Sequence, residues 1–554
     1  MLVEDGGCTV FHQANTEAFF YCRGAERSGA MVSFIRDLAR FRARRTPDRE
    51  AVFDWESGIR YTWGDLEQRS TSMIKFLGET LGVRKGDVVG FVSPTVMQMV
   101  DVFLASFTLG YIIDTYNYRL KASELVSLAE LEQPKVLFYS SAHYDKAKAI
   151  GNSLGESCVL VCLENMRELE NGYTTSNAEP ADVIQPIPPC EIEFDNPQML
   201  IHTGGTTGLP KAGILSFRSI FMNAVSEIIT CDLTHDDCAY IGMPLYHTAG
   251  WNTIMLPLLL SGGRIVVSKE FSADVFLDVV EQERPSVFLG TEAMFKMIVE
   301  NPRFSKVDFS CFKWILGAGG PVSQATMEPF WNRGVKFFVG YGMTETGPNN
   351  IVPNVAESLE KNRAKPHSVG KPMAFTELRI ERDDGEEAKV NEAGEILLRG
   401  ALSFNGYWKR ESETRQMFDG DWIRTGDIGT RDEDGDVRIC GRLKNMYISG
   451  GENIFPIEAE RCLEAHPAVR EACVIGVPDA RWGEVGKALI VTKDNCAIDL
   501  LTLDKYLREN LSSVKRPKYM EFVSAIPKNA IGKRDEAFIA CTYGHVEQKL
   551  LASL

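Results

Sequence analysis

Residues 203–213 read Thr203-Gly204-Gly205-Thr206-Thr207-Gly208-Leu209-Pro210-Lys211-Ala212-Gly213. A mostly apolar run ending at His202 precedes them and another apolar run follows, which predicts a strand, a glycine-rich loop and then a new element. Glycines allow a sharp turn and let backbone N–H groups approach an anion closely. The threonine hydroxyls add donors and Lys211 adds a cation. The stretch therefore indicates a clamp for phosphate groups.

This loop differs from a Walker A loop, in which Ser or Thr follows the lysine directly so that a hydroxyl reaches magnesium. Here Lys211 follows Pro210 and precedes Ala212. A polyphosphate is therefore predicted to be held by a different geometry. The alternative for this stretch alone is a flexible surface turn.

Length and composition limit the class of protein. A chain of 554 residues is too long for one core, so we expect two or more domains. Apolar residues at 44% and charged residues at 25% are typical of a globular protein, and the net charge of −16 argues against a nucleic-acid scaffold. The 13 cysteines show no zinc-type spacing, which favours reduced thiols in the cytoplasm. No apolar run approaches the roughly 20 residues of a membrane span.

The order of predicted elements divides the chain. Residues 1–30 carry acids early and lack a signal-peptide core, so we expect an N-terminal extension, with Met31 as a plausible start. Strands then alternate with helices, which favours a parallel sheet with helices on both faces. Residues 164–196 are predicted to be a surface connection. After Lys444 the pattern becomes that of a small α+β module, which predicts domains at 31–443 and 444–554.

Two further stretches combine small and polar residues. Residues 244–251 carry His247, Thr248 and Trp251 in an apolar setting, where a lone histidine is more often a satisfied core residue than a functional one. Residues 316–321 end in Gly319-Gly320-Pro321, whose small side chains leave room for a flat ring or simply form a tight turn.

A second strong signal is Gly340-Tyr341-Gly342-Met343-Thr344-Glu345. A strand there leads into a turn with an aromatic ring for stacking, a hydroxyl, and a carboxylate suited to Mg²⁺. Farther on, residues 422–427 are predicted as a strand that ends in Asp427. Its carboxylate can accept hydrogen bonds from two ribose hydroxyls, although an isolated aspartate is more often an ordinary turn residue.

Three motifs follow in the last quarter of the chain. Arg442 and Lys444 lie in Gly-Arg-Leu-Lys-Asn at 441–445, and Ser449-Gly450-Gly451 begins a glycine-rich turn. Residues 526–533 read Ile-Pro-Lys-Asn-Ala-Ile-Gly-Lys and end at Lys533. A lysine on such a loop is usually a solvated surface residue.

Taken together and in this order, the motifs resemble the adenylate-forming superfamily of acyl-CoA synthetases, carrier-domain adenylation modules and beetle luciferases. The resemblance covers residues 34–533, and three departures are visible. Gly205 stands where the family usually has Ser, and Gly441 and Asn445 stand where it often has Asp. The resemblance implies an α/β fold, with a large N-terminal domain of parallel-sheet αβ layers plus a distorted barrel and a small mobile α+β C-terminal domain.

The resemblance also implies roles for the residues quoted above. It places ATP on Thr203–Gly208 and Lys211, on Gly319–Pro321 and Gly340–Met343, and on Asp427 and Arg442. Catalysis would involve Lys533, Thr344, Glu345 as the Mg²⁺ ligand, and His247. His247, Thr248 and Trp251 would line the acyl pocket, Lys444 would be the hinge, and Ser449, Gly450 and Gly451 would bind coenzyme A.

The predicted function is that of an ATP-dependent acid:CoA ligase. It would activate a fatty, alicyclic or aryl acid as acyl-AMP, release pyrophosphate, and pass the acyl group to CoA. Trp251 favours a medium-chain, alicyclic or aryl acid over a very long chain. Three alternatives stay open: a ligase that loads a separate acyl-carrier protein, a luciferase-like oxygenase, and a non-catalytic nucleotide-binding relative. The sequence carries no signal for the oligomeric state.

Overall fold

The computed structural model describes residues 37–169, 172–175, 190–203, 209–494, 496, 498–528 and 534–545. Gly204–Gly208, Lys533 and the predicted extension at 1–30 lie outside these residues.

Fifteen α-helices are present in the described ranges. They are α1 (Leu38–Arg45), α2 (Trp63–Lys75), α3 (Met97–Leu109), α4 (Ala122–Glu132), α5 (Tyr144–Leu154), α6 (Phe217–Thr230), α7 (Leu256–Ser261), α8 (Ala273–Glu283), α9 (Glu292–Glu300), α10 (Gln324–Trp331), α11 (Leu359–Ala364), α12 (Glu411–Met417), α13 (Pro456–Glu464), α14 (Leu500–Asn510) and α15 (Glu536–Tyr543). Wider π-helical turns occupy Phe76–Thr80 and Ala249–Met255. Short 3₁₀ turns occupy Ser141–His143, Gly155–Ser157, Leu163–Asn165, Leu443–Asn445 and Ser513–Lys515.

The strands within the same ranges are β1 (Glu50–Asp54), β2 (Ile59–Thr62), β3 (Val88–Val92), β4 (Ile112–Thr115), β5 (Pro134–Tyr139), β6 (Val159–Cys162), β7 (Met166–Leu169), β8 (Gly172–Thr175), β9 (Pro197–Thr203), β10 (Lys211–Ser216), β11 (Cys238–Ile241), β12 (Arg264–Val267), β13 (Val287–Gly290) and β14 (Trp314–Gly317). They continue with β15 (Phe337–Val339), β16 (Tyr341–Met343), β17 (Gly347–Val352), β18 (Ser368–Pro372), β19 (Thr376–Glu381), β20 (Gly394–Gly400), β21 (Phe418–Asp419), β22 (Trp422–Arg431), β23 (Val437–Arg442), β24 (Tyr447–Ser449), β25 (Glu452–Ile454), β26 (Val469–Asp479), β27 (Gly483–Thr492) and β28 (Tyr519–Phe522).

Two sheets, mainly parallel, form the larger part of the molecule. The first has the order β15-β14-β13-β11-β12-β1-β2 and the second the order β10-β9-β4-β3-β5-β6. Within them only the edge strands β2 and β10 run antiparallel to their neighbours. Central strands such as β3 and β13 are buried at every residue, as expected for parallel strands covered on both faces. Both sheets contribute to one hydrophobic core, which includes nearly all of α3.

An antiparallel sheet follows these two in the chain. Its strand order is β16-β17-β18-β23-β22-β20-β19, with β21 paired to β22. It places β16 and the end of β23, which carry predicted site residues, in the same sheet.

A further sheet and its own core are formed by residues 447–522. The order is β25-β24-β27-β26, and β28 adds to β27 in parallel. Its core includes Tyr447, Leu463, Ile490, Leu503 and Met520. These elements confirm a large N-terminal part with parallel sheets and a smaller α+β part, while the boundary near Lys444 stays a prediction.

Thr62 caps α2 in a reciprocal capping box with Asp65. Two stretches differ from what the sequence predicts. Residues 164–196 were expected to be a surface connection, but β7 and β8 pair there as a short hairpin. Asp427 was expected to end a strand, but β22 continues to Arg431, because Gly426 adopts a φ of +70° without interrupting the strand. No helix in the described ranges is long and apolar enough to cross a membrane.

Candidate active site

The phosphate loop joins two antiparallel strands. Thr203, at the end of β9, pairs with Lys211, at the start of β10. The Thr203 hydroxyl donates to the Lys211 carbonyl oxygen at 3.4 Å. The predicted new element after the loop is therefore a strand, and two of the predicted phosphate-binding residues lie side by side where the loop leaves the sheet.

Lys211 and Glu345 meet through a third residue, Tyr407. The Lys211 ammonium group lies 5.0 Å from the centroid of the Tyr407 ring, a cation–π geometry. The Tyr407 hydroxyl donates to Glu345 Oε1 at 2.6 Å. Burial and the neighbouring Glu345 carboxylate raise the pKa of Tyr407, so it stays a neutral donor. A cation at the ring and a buried carboxylate at the hydroxyl thus both contact one tyrosine.

Sequence reasoning missed Tyr407, because its position depends on tertiary pairing. The segment around it runs along β10, where Ile214 N donates to Gly406 O at 2.9 Å and Trp408 N donates to Ala212 O at 2.8 Å. Phe404 N donates to the Glu345 carbonyl oxygen at 3.0 Å. An aromatic residue after a glycine was the only local signal, and many surface turns share it.

The hairpin that carries Thr344 and Glu345 needs its glycines. A Cβ at Gly340 would lie 2.6 Å from Asn349 Oδ1, and one at Gly342 would lie 2.5 Å from the Pro348 carbonyl oxygen. Neither position has room for a side chain. The Thr344 methyl group lies 3.3 Å from where a Cβ of Gly213 would be, so this turn packs directly against β10.

Tyr341, Asp427 and Arg442 form a second cluster. Tyr341 donates its hydroxyl to Asp427 Oδ2 at 2.7 Å, and Arg442 Nε lies 2.9 Å from Asp427 Oδ1. Asp427 is opposite Arg442 in the β22–β23 pair, which explains their contact. Burial and the Asp427 carboxylate raise the pKa of Tyr341. Tyr341 lies in β16 and Glu345 in the turn that follows it, so the two clusters are neighbours.

Small residues follow the carboxyl end of β14. Gly319, Gly320 and Pro321 are exposed, and Gly319 has a φ of +80°. β14 lies between β13 and β15, and β15 leads directly to Gly340 and Tyr341. The carboxyl ends of parallel strands meet at one edge of a sheet, which is where ligands bind in open α/β folds.

The His247 segment follows β11 at the same edge. His247 is half-buried, with its ring centroid 4.7 Å from that of Tyr246. Thr248 accepts a hydrogen bond from Asn252 at 3.0 Å. Trp251 has no exposed surface, packs 5.6 Å from the Phe103 ring and donates to the Leu245 carbonyl oxygen. Trp251 is therefore a core residue behind this segment, and its acyl-pocket role stays a prediction.

The remaining predicted residues lie farther along the chain. Lys444 occupies a 3₁₀ turn two residues after Arg442, and its ammonium group lies 3.0 Å from Glu536 Oε2. Ser449 is buried at the end of β24, while Gly450 and Gly451 are exposed and form the two-residue turn to β25, with φ of +62° and +89°. Only glycine adopts such a pair of angles easily.

Most of the chain matches known proteins in sequence. The sequence model of the family described as AMP-binding enzyme matches residues 39–408, and that of its C-terminal domain matches residues 458–533. Feruloyl-CoA synthase from Amycolatopsis is 33% identical over 89% of this chain and 95% of its own length. Indoleacetate–CoA ligase from Aromatoleum aromaticum is 30% identical over 89% of this chain and 93% of its own length.

A solved structure of another protein has the same fold. The o-succinylbenzoate CoA synthetase of Bacillus subtilis, in complex with an acyl-adenylate intermediate, superposes with a TM-score of 0.79 and 26% identity. The match covers 94% of this chain and 99% of that one. The chain belongs to the AMP-binding enzyme family. Within it, the chain is an AMP-forming acid–thiol ligase.

Proposed function

We propose that this enzyme converts an aryl carboxylic acid to its CoA thioester through an acyl-adenylate, using ATP and Mg²⁺. The proposal rests on one observation. The Lys211–Tyr407–Glu345 cluster and the Tyr341–Asp427–Arg442 cluster are connected by β16 and the turn that follows it. Cations, a carboxylate and an aromatic ring therefore converge beside the phosphate loop.

In the first half-reaction, a carboxylate oxygen of the acid attacks the α-phosphorus of ATP, and the bond to pyrophosphate breaks. Two anions must approach each other, and negative charge builds up on the phosphorus. Preorganised cations and hydrogen-bond donors lower such a barrier. Lys211 is already held beside the loop, Thr344 faces β10, and Lys533 would complete the set.

Glu345 is the residue that would hold Mg²⁺. Its Oε1 is engaged by the Tyr407 hydroxyl, which fixes the orientation of the carboxylate. A single oriented carboxylate fits Mg²⁺, which binds proteins through one or two carboxylates plus substrate phosphates. When bound, the ion would neutralise phosphate charge.

In the second half-reaction, the thiol of CoA attacks the acyl carbonyl, loses its proton to solvent, and AMP leaves. We place the domain boundary at Lys444, with domains at 31–443 and 444–554 and an extension at 1–30, and assign Lys444 as the hinge between the two steps. The Ser449–Gly451 turn is our candidate face for the pantetheine arm. Gly450 N donates to the Trp482 carbonyl oxygen at 2.8 Å, and a Cβ at Gly450 would lie 2.7 Å from the Trp482 ring.

Cations beside this turn favour CoA, which carries three phosphates, as the acceptor. Lys518 and Arg481 lie 4.5 and 4.9 Å from the Trp482 ring, and Trp482 is 38% exposed. An exposed aromatic ring with two cations close by suits a nucleotide. A separate acyl-carrier protein is the second candidate acceptor. We place the reaction in the cytoplasm, because no two cysteines of the described ranges are joined by a disulfide bond.

The acid is proposed to be aryl because of the acids after which similar enzymes are named. The relatives named above act on ferulate, indoleacetate and o-succinylbenzoate, all of which are aryl acids.

The experiment that tests the function is pyrophosphate release by the purified full chain with ATP and Mg²⁺. A panel of hydroxycinnamate, arylacetate, benzoate, medium-chain and long-chain acids would be assayed with and without CoA. We expect release with aryl acids, faster turnover with CoA, and an acyl-CoA product. Release with long-chain acids alone would contradict the aryl class, and release that CoA does not accelerate would contradict the acceptor.

A further inference from the structure

A second group of ionisable side chains lies behind the strand that leads into the phosphate loop. Asp114 in β4, Glu132 at the end of α4 and His202 in β9 approach one another in the interior. Asp114 has no exposed surface, Glu132 is 2% exposed, and the His202 side chain is 5% exposed. His202 Nε2 lies 2.8 Å from Glu132 Oε1, and His202 Nδ1 lies 3.7 Å from Asp114 Oδ1.

Most of the polar atoms in this group have no hydrogen-bond partner. Both carboxylate oxygens of Asp114, Glu132 Oε2 and His202 Nδ1 are buried without one, and so is the hydroxyl of Tyr116, whose ring stacks on His202 at 5.4 Å. A buried polar atom without a partner is costly, and a buried carboxylate more so. So many unsatisfied atoms in one place indicate a ligand that satisfies them together.

We propose that Asp114, Glu132 and His202 form a buried structural site for a divalent metal ion of the zinc class. Two carboxylates and one imidazole are a donor set that Zn²⁺ accepts. One ligand atom from each residue lies within 4.8 Å of the others. Ligand atoms bound to one tetrahedral Zn²⁺ lie about 3.3 Å apart, so small side-chain shifts close the set. The two positive charges balance the two carboxylates, which buried anions require.

Tyr116 is the fourth candidate ligand. It is 1% exposed, and its hydroxyl has no partner. Its ring stacks on the His202 imidazole with 5.4 Å between the two centroids, so Tyr116 borders the site. A neutral hydroxyl, or a water in its place, completes a tetrahedral site without adding charge.

The position of the site indicates a structural rather than a catalytic role for the ion. β4 pairs with β9 in parallel, and Glu132 is the last residue of α4, so an ion there would join three elements. His202 directly precedes Thr203, which borders the phosphate loop. The ion would therefore fix the strand end from which that loop extends.

An acidic cluster elsewhere provides a matched control. Asp432, Asp434 and Asp436 also gather three carboxylates, but Lys365 lies 2.6–2.8 Å from all three and supplies the positive charge. Their side chains are between 18% and 72% exposed. An acidic cluster that already contains a lysine has no need of a metal.

Elemental analysis of the purified full chain tests the proposal. We expect about one equivalent of zinc or another first-row metal per chain after gel filtration, and at least a tenfold lower content in His202→Gln and Asp114→Asn. Asp434→Asn should retain the metal. Because the first two variants could fail to fold, the wild-type protein is also stripped with a chelator and titrated with Co²⁺. Visible absorption bands of tetrahedral Co²⁺ should appear and saturate at one equivalent.

Three outcomes would overturn the inference. Wild-type protein that is metal-free as isolated and gives no Co²⁺ bands has no such site, and a proton on His202 would then supply the positive charge. Equal metal content in wild type and folded His202→Gln would place the ion elsewhere. Loss of metal in Asp434→Asn would move the site to the exposed cluster. None of these results depends on ligase activity.

Discussion

The carboxylate of Glu536 lies 3.0 Å from the ammonium group of Lys444. Its other oxygen accepts a hydrogen bond from Asn445 Nδ2 at 2.7 Å. Burial alone would raise the pKa of Glu536, but these two contacts outweigh it and lower the pKa, so the carboxylate stays ionised. Glu536 begins α15, three residues after Lys533, and the proposed hinge is therefore tied to the segment that follows the proposed catalytic lysine.

Glu536→Gln should slow adenylation and spare the second half-reaction. The substitution removes the ion pair to Lys444, so the arrangement that ties α15 to the proposed hinge becomes less populated. An exposed ion pair contributes about 1 kcal/mol or less, which limits the loss in pyrophosphate-release rate to about fivefold. Thioester formation from preformed acyl-AMP is measured in parallel.

Glu521→Gln is the control for this variant. It breaks a more buried ion pair in the C-terminal sheet, in which Lys487 lies 2.9 Å from Glu521, without touching the hinge. We expect wild-type rates in both half-reactions. If Glu536→Gln and Glu521→Gln behaved alike, the Glu536–Lys444 contact would have no role in the first step.

Lys533→Ala should reduce adenylation by about a thousandfold or more, because charge building up on the α-phosphorus loses its cation. Thioester formation from preformed acyl-AMP should stay within about twofold of wild type, since no phosphorus is attacked in that step. Both rates are measured by rapid quench. Lys528→Ala is the control, because Lys528 is an exposed lysine paired with Glu471 at 3.2 Å. Equal loss of both steps in Lys533→Ala would rule out the assigned role.

The site residues that could be predicted from the sequence are those that lie in continuous motifs. Tyr341, Thr344 and Glu345 lie within five residues on one strand and turn, so the sequence alone predicts that they lie close together. Lys211 was predicted for the same reason, as the cation that ends a glycine-rich loop. Such residues are recognisable because local backbone geometry determines their separation.

Residues brought together by distant pairing were not predictable. Tyr407 reaches Glu345 only because the 404–408 segment runs along β10, about two hundred residues earlier in the chain. Asp427 was recognised, but its location inside β22 was not, because Gly426 resembles a strand end in the sequence. The group formed by Asp114, Glu132 and His202 was not predictable from the sequence, because its three residues lie in three separate elements.

Tyr407→Phe should raise the Mg²⁺ concentration that gives half-maximal activity by about tenfold. The phenol that orients the Glu345 carboxylate is lost, and residues that orient a metal ligand typically change affinity by about 10- to 100-fold. A Mg²⁺ titration at saturating ATP measures the effect. Tyr144→Phe, on an exposed tyrosine, is the control. An unchanged titration curve would mean that the Tyr407–Glu345 bond does not support metal binding.

Asp427→Asn should lower kcat/KM for ATP by about 10- to 100-fold, since a hydrogen bond to a charged group is worth about 1.5–3 kcal/mol. The amide keeps the shape but removes the negative charge that holds Arg442 and the Tyr341 hydroxyl. Most of the loss should be in KM for ATP, with KM for the acid nearly unchanged. Asp419→Asn serves as the control, because Asp419 pairs with Arg424 at 2.8 Å on the exposed β21–β22 edge.

Glu227→Gln should stabilise the protein increasingly as pH rises from about 5 to 8. Burial raises the pKa of Glu227 to about 8, and its Oε1 has no hydrogen-bond partner. In the unfolded chain this carboxyl ionises near its ordinary pKa of 4.5. The contribution of Glu227 to the free energy of unfolding of the wild type is therefore complete below the pKa that this carboxyl has in the unfolded chain. It is lost as the pH rises toward the pKa in the folded protein, at up to about 1.4 kcal/mol per pH unit.

Glutamine stays neutral across this range, so the difference in unfolding free energy between Glu227→Gln and wild type should grow with pH and level off above about 8. Urea unfolding of both proteins at about pH 5, 6.5 and 8, which together span the two pKa values, measures the trend. Glu300→Gln, at an exposed carboxylate, should show no such growth. A constant difference at all three pH values would mean that Glu227 is already ionised in the folded protein, and a buried cation or water would then have to be sought beside Asn349.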